Sequence, residues 1–211
     1  VSTSTALSLV NGSNIINHRP SNTPNIFPYS NINLWLVCTG NTCRSSALKI
    51  AAYIRGIFVP TCGSRVRTPG GGMTPALLRE IENGNFSKKV KEYAAHHRSK
   101  NCMKPSNQKC ELFNNRNEFA VVADRNANDL RVMAKECGVS NPKIVTLAQL
   151  SHKCMPLEND PYNNSKQAAN NAGIEWTTTL ALKEKQSYRK LMIDAQQCID
   201  SLVTMGILTS Q

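Results

Sequence analysis

Residues 32–56 constrain this chain more than any other part of it. An apolar, β-prone run at 32–37 ends at Cys38-Thr39-Gly40-Asn41-Thr42-Cys43-Arg44-Ser45, and apolar residues at helical spacing then run from Ser45 to about Gly56. The order is strand, polar loop, helix. A loop in that place gathers its own backbone N–H groups and those of the helix N-terminus around one point, which binds a tetrahedral oxyanion. Cys38, at the strand end, then faces the anion as a thiolate nucleophile, and Arg44 can grip two of its oxygens through a planar fork. Gly40 and Asn41 tolerate the positive φ angles that turn successive amides inward. Ser45 can donate its hydroxyl to the Cys38 sulfur.

The rest of the chain repeats the same alternation. Apolar runs at 57–61, 119–123 and 143–147 predict three further strands, and 75–81, 128–136 and 188–202 predict helices, the second closed by Gly138. Strands alternating with helices predict an α/β fold: one three-layer domain with a four-stranded parallel sheet and helices on both faces. At 211 residues the chain suits one domain with decoration. Residues 1–30 are rich in Ser, Thr, Asn and Pro with Arg19 as their single charge, and they read as a polar N-terminal extension. Residues 114–117 and 163–171 read as polar loops. The longest apolar stretches fall well short of the roughly 18 residues of a membrane span.

Charge and cysteine usage narrow the partners. A net charge of +11 predicts an electropositive surface that attracts anions, including acidic proteins. Basic residues crowd 88–109, where a solvated basic face is expected. The charge alone would also suit nucleic acid, but no recognised module is present and aromatic residues are only 6% of the chain, which disfavours that class. The eight cysteines include no pair of C-x-x-C knuckles. They predict mostly free thiols, no structural zinc, and an intracellular protein, cytoplasmic by default, with a mitochondrial or other organellar site as the alternative.

Residues 37–45 resemble the signature of the low-molecular-weight protein tyrosine phosphatase family: Cys, five residues, Arg, Ser, here with a second cysteine at Cys43. Asp160-Pro161-Tyr162, far downstream and before the last helix, resembles that family's general-acid loop. The resemblance spans 31–207, with insertions near 101–110 and 165–186, and implies a flavodoxin-like phosphatase fold. It implies that Cys38 is the nucleophile, that Thr39, Gly40, Asn41, Thr42, Cys43, Arg44 and Ser45 cradle the phosphate, and that Asp160 is the acid. Tyr162 would form one wall of the pocket. The implied reaction is hydrolysis of a phosphomonoester, on a phosphorylated protein or a small molecule, through a cysteinyl-phosphate intermediate with no metal or other cofactor. A reversible Cys38–Cys43 disulfide is implied as redox protection.

Weaker correspondences follow from the same resemblance. Thr61, in Thr61-Cys62-Gly63, falls where a hydroxyl braces Asn41, and His97 falls where a ring bonds that same Asn. Asp124 matches an Asp at the end of the third strand, although from the sequence alone it reads equally well as a helix N-cap. Ser46 replaces the family's usual Pro, Arg67 lies near an aromatic gate position, Asn163 replaces a second aromatic, and Lys100 replaces an Arg, so the mouth is more polar and basic. Thr42 is shared with the arginine-phosphatase branch, which makes phosphoarginine an alternative substrate. Cys102 and Cys110 precede the third strand, which disfavours the arsenate reductases. The alternative from another class is a non-catalytic subunit of a larger, possibly mitochondrial assembly, docked through the basic face and the N-terminal extension.

Overall fold

In the computed structural model, residues 34–100, 102, 108–113, 117–161 and 178–209 are described. The N-terminal extension, most of both expected insertions, and Tyr162 lie outside the described residues. The sheet is built from β1 (Leu34–Cys38), β2 (Thr61–Gly63), β3 (Glu118–Val121) and β4 (Ile144–Thr146), all parallel, in the order β2-β1-β3-β4. The helices are α1 (Arg44–Ile54), α2 (Pro75–Asn83), α3 (Lys88–Ala95), α4 (Gln108–Glu111), α5 (Asp124–Glu136), α6 (Leu147–Leu150) and α7 (Thr178–Thr204), with a 3-10 turn at His152–Glu158. This is the three-layer α/β architecture that the alternation of the sequence predicts.

The pleat of β1 assigns the layers. Leu34, Leu36 and Cys38 point to one face, where α1, α2, α3 and α7 supply a core that includes Leu48, Leu77, Val90, Leu191 and Ile199. Val37 points to the other, into a smaller core of Phe113, Phe119, Leu130 and Met133 around α5. Both faces being covered explains why the strands read as nearly continuous apolar runs. From β1 the chain first crosses to β2 on one side and then returns to β3 on the other. The carboxyl end of β1 is therefore the topological switch point, where an open α/β sheet leaves a crevice. Cys38 is the last residue of β1.

Three expectations need correction. The second strand pairs only over Thr61–Gly63, with Leu36 opposite Thr61. Ile57 and Val59 before it are buried core residues in extended chain, so their apolar pattern reflects burial rather than a ladder. The basic stretch at 88–109 is not only a solvated face: it opens with α3, capped by Ser87, whose side chain accepts from the Val90 N–H. Val90 and Ala94 are buried one turn apart while Lys88 and Lys89 stay exposed.

The cysteines, expected to be mostly free, are mostly paired. Cys62–Cys102, Cys110–Cys137 and Cys154–Cys198 form disulfides with Cα separations of 5.7, 5.2 and 4.6 Å, inside the range a disulfide spans. Only Cys38 and Cys43 are free. Pairing depends on distance in the fold, which spacing along the chain did not reveal. The bridges close loops of 40, 27 and 44 residues, each of which restricts the unfolded chain by roughly 3–4 kcal/mol. Oxidatively folded protein, denatured without reductant, should take up two maleimide groups per chain, and eight after reduction. Eight before reduction would reject the disulfide framework.

Candidate functional site

Helix α1 begins without help from its own side chains. Cys43 is its N-cap, no side chain caps the first turn, and that turn carries no acidic residue. Its first N–H groups are left for a ligand. The loop before it turns on Asn41, which has φ of +52° and is the only non-glycine residue with positive φ among the described residues. Gly40, expected to share that conformation, does not take it. A Cβ there would stand 3.3 Å from the Thr42 hydroxyl, so its role is room. The turn brings the Asn41 N–H to 3.3 Å from Cys38 Sγ.

Ser45 takes the place expected of it. Its hydroxyl lies 3.0 Å from Cys38 Sγ, and it accepts a bond of 3.0 Å from Asn41 Nδ2. Because Asn41 occupies an oxygen lone pair, the Ser45 proton is free to point at the sulfur. Cys43, the second free thiol, is held in its protonated form first by burial, then by the charges of Cys38 and Asp160, and Tyr188 of α7 is buried beside it.

Asn41 is held on every side. His97 Nε2 is 2.7 Å from the Asn41 carbonyl oxygen, Ser46 Oγ donates to that oxygen at 3.0 Å, and the Lys100 N–H donates to Asn41 Oδ1 at 2.8 Å. The structure thus brings His97 to Asn41, through the main-chain carbonyl rather than the side chain. His97 is buried, and burial pushes its pKa down from 6.5, with the charges of Lys49, Arg98 and Lys100 acting in the same direction. A neutral ring donating from Nε2 leaves Nδ1 as a bare acceptor, and Nδ1 has no partner among the described residues. A second proton there would be a buried donor without an acceptor. The segment carrying these residues is fixed to β2, since Gly63 donates to the Lys100 carbonyl, Cys102 donates to the Gly63 carbonyl, and Cys62 is bonded to Cys102.

Two of the expected supports fall elsewhere. Thr61 is buried in β2, but its hydroxyl makes no hydrogen bond among the described residues. Asp124 is exposed at the first position of α5, is not the N-cap, which is Ala123, and makes no hydrogen bond or ion pair among the described residues. Two residues past Asp124, the buried Asn126 braces the loop from α5: its Nδ2 donates to Thr39 Oγ1 and Ser64 Oγ. Ser64 donates to Asp129, which Arg65 grips through Nε and Nη2. The spacing of Asn126 and Asp129 on one helix face was the available signal, but it acquires meaning only beside Thr39 and Ser64.

Arg44 and Asp160 meet although 116 residues separate them. The guanidinium is buried, with Nη1 donating to the Glu158 carbonyl at 3.0 Å and Nη2 to Asp160 Oδ2 at 3.1 Å. The Nε–H and one Nη2–H remain for an anion. Arg125, which the sequence did not single out, approaches the same carboxylate oxygen at 3.5 Å. The arm bearing Asp160 is anchored through Cys154–Cys198 to α7. Cys38, Thr39, Gly40, Thr42, Cys43, Arg44 and Asp160 all line one cleft of about 600 Å³.

Solved structures share this arrangement of strands and helices. The YwlE arginine phosphatase from Geobacillus stearothermophilus matches with a TM-score of 0.52 and 19% identity over 83% of this chain and 90% of that one. The low molecular weight protein tyrosine phosphatase from T. tengcongensis matches with a TM-score of 0.50 and 20% identity over 81% and 97%. No protein-family model matches the chain, and no curated protein matches it. The chain has the low-molecular-weight phosphatase fold.

Two outcomes check the bracing of Asn41. A Cβ at Gly63 would lie 2.7 Å from the Thr39 carbonyl and 3.0 Å from the Asn41 nitrogen, so Gly63→Ala should destabilise the protein by about 1–3 kcal/mol in a denaturant titration. Because the folded pKa of His97 lies below 6.5, its stabilising contribution is complete above that pH and is lost as pH falls below it, when the unfolded chain takes up the proton first. The stability gap between wild type and His97→Gln, measured by denaturant titration, should shrink between about pH 7 and 5. A constant gap would reject the neutral ring.

Proposed function

We propose that the chain is a cysteine-dependent phosphatase that hydrolyses phosphomonoesters, phosphotyrosine in proteins above all, through a cysteinyl-phosphate intermediate. The observation that carries this reading is the single cleft in which Cys38 Sγ, held by the Asn41 N–H and the Ser45 hydroxyl, faces the Arg44 guanidinium and the Asp160 carboxyl. The fold shared with the phosphatases above agrees with it.

The chemistry follows from the placement. The Cys38 thiolate attacks phosphorus in line as the ester oxygen leaves, and the loop amides and Arg44 stabilise the equatorial oxygens. Asp160 delivers a proton to the departing oxygen. It then takes a proton from the water that attacks phosphorus, the S–P bond breaks, and the Ser45 hydroxyl receives the thiolate. An entering dianion competes with Asp160 for Arg44, which frees the carboxyl for this work. Cys43, kept as a thiol, does not compete as a nucleophile.

Two alternatives fit less well. A phosphoarginine substrate brings a guanidinium to a mouth where Arg67 is exposed and has no ion pair among the described residues, so like charges repel. A non-catalytic subunit has no use for a nucleophile, a fork and a carboxyl brought together from β1, α1 and the 3-10 arm. For the compartment, three disulfides favour an oxidising environment over the cytoplasm.

Cys38→Ser should abolish turnover of para-nitrophenyl phosphate while leaving the fold intact. Arg44→Lys should weaken phosphate and vanadate binding, because a point charge cannot reproduce the fork. Asp160→Asn should slow formation of the intermediate from phosphotyrosine by about 10²–10⁴, and far less from the activated nitrophenyl ester. Equal slowing of the two in single-turnover measurements would reject Asp160 as the acid.

A further inference from the structure

The rim of the cleft carries more positive charge than the reaction uses. Arg65, Arg67 and Arg125 line it together with Arg44, and Asp160 is the only acidic residue among the described lining. These arginines are not equivalent. Arg65 is neutralised by Asp129, which it contacts through both Nε and Nη2. Arg125 leans on Asp160 at 3.5 Å, and loses that partner whenever Asp160 carries the proton it must donate. Arg67 is exposed and forms no ion pair among the described residues. Arg44 and the loop amides already serve the phosphate, so Arg67, joined by Arg125 during the chemical step, faces whatever surrounds it.

The apolar part of the lining is small: Val66, Met73 and Pro75 give an aryl ring a surface to lie on, and no aromatic side chain lines the cleft among the described residues. Discrimination between one phosphorylated segment and another then falls to charge at the rim.

Resting on the phosphatase reading, we propose that the cleft selects phosphorylated protein segments in which carboxylates flank the phosphorylated residue, with Arg67 as the residue that sets this preference. Flanking Asp or Glu side chains approach Arg67 and, with Asp160 protonated, Arg125. Flanking Lys or Arg side chains are repelled. Two exposed charge pairs of ordinary strength correspond to a preference of about two- to thirtyfold.

The test uses three phosphotyrosine peptides of equal length that differ only in their flanks, Glu, Gln or Lys, with kcat/KM measured at about 50 mM and about 500 mM salt. The expected order is Glu above Gln above Lys, compressed at high salt. In Arg67→Glu the Glu-to-Gln ratio should fall to one or below. The ratio is taken within one protein, so it does not depend on how much of the variant folds. If wild type turns over para-nitrophenyl phosphate but treats the three peptides alike, or prefers Lys flanks, the selectivity is overturned and the phosphatase reading stands. A full Glu preference retained by Arg67→Glu overturns the role of Arg67. No turnover of any of these substrates removes the phosphatase reading and this inference with it.

Discussion

The left-handed turn at Asn41 is the constraint from which the site follows. A non-glycine residue there costs about 1–3 kcal/mol in local strain, and it persists only because the surroundings fix it. Three separate donors do so: the His97 ring and the Ser46 hydroxyl on its carbonyl oxygen, and the Lys100 amide on its side chain. What the strain secures is direction. At this turn the amide lies 3.3 Å from the Cys38 sulfur, and the side-chain amide donates to Ser45, whose hydroxyl lies 3.0 Å from the same atom.

A second dependence runs across the cleft. Arg44 belongs to the first turn of α1, whereas Asp160 ends an arm that is distant in sequence and held to α7 by Cys154–Cys198. Their ion pair, with the Glu158 carbonyl on the same guanidinium, sets the separation between the loop around Cys38 and the Asp160 carboxyl. Cys62–Cys102 does the equivalent for the other wall, tying β2 to the segment that carries His97 and Lys100. Two of the three disulfides thus tie down the walls on either side of Cys38.

The local parts of the site were legible because their chemistry is local. Cys38 to Ser45 is one strand end, one loop and one helix start, in the order the residues suggested, with Gly40 departing from the positive φ expected of it. Asp160 was singled out from a short motif, and the fold brings it to 3.1 Å from Arg44. The supports were less legible, since a bracing hydrogen bond needs only a polar atom at the right point in space. Asn126 braces Thr39 and Ser64 while Asp124, two residues before it, is exposed, because β3 ends at Val121 and α5 begins at Asp124, which leaves Asp124 outward and Asn126 inward. α3 was hidden by its lysines, although Val90 and Ala94 mark its buried stripe.

By itself the sequence determined the alternation of strands and helices, the loop that gathers amides around Cys38, and the excess of positive charge. These depend on the order of neighbouring residues, on side-chain periodicity and on simple composition. Only the tertiary structure decided which cysteines pair, that Arg44 and Asp160 share a cleft, that His97 is buried where its charged form is disfavoured, and that Arg67 alone among the rim arginines is left without an ion pair among the described residues. Each of those is a distance between residues far apart in the chain, and distances of that kind are set by how the layers pack, which spacing along a sequence does not encode.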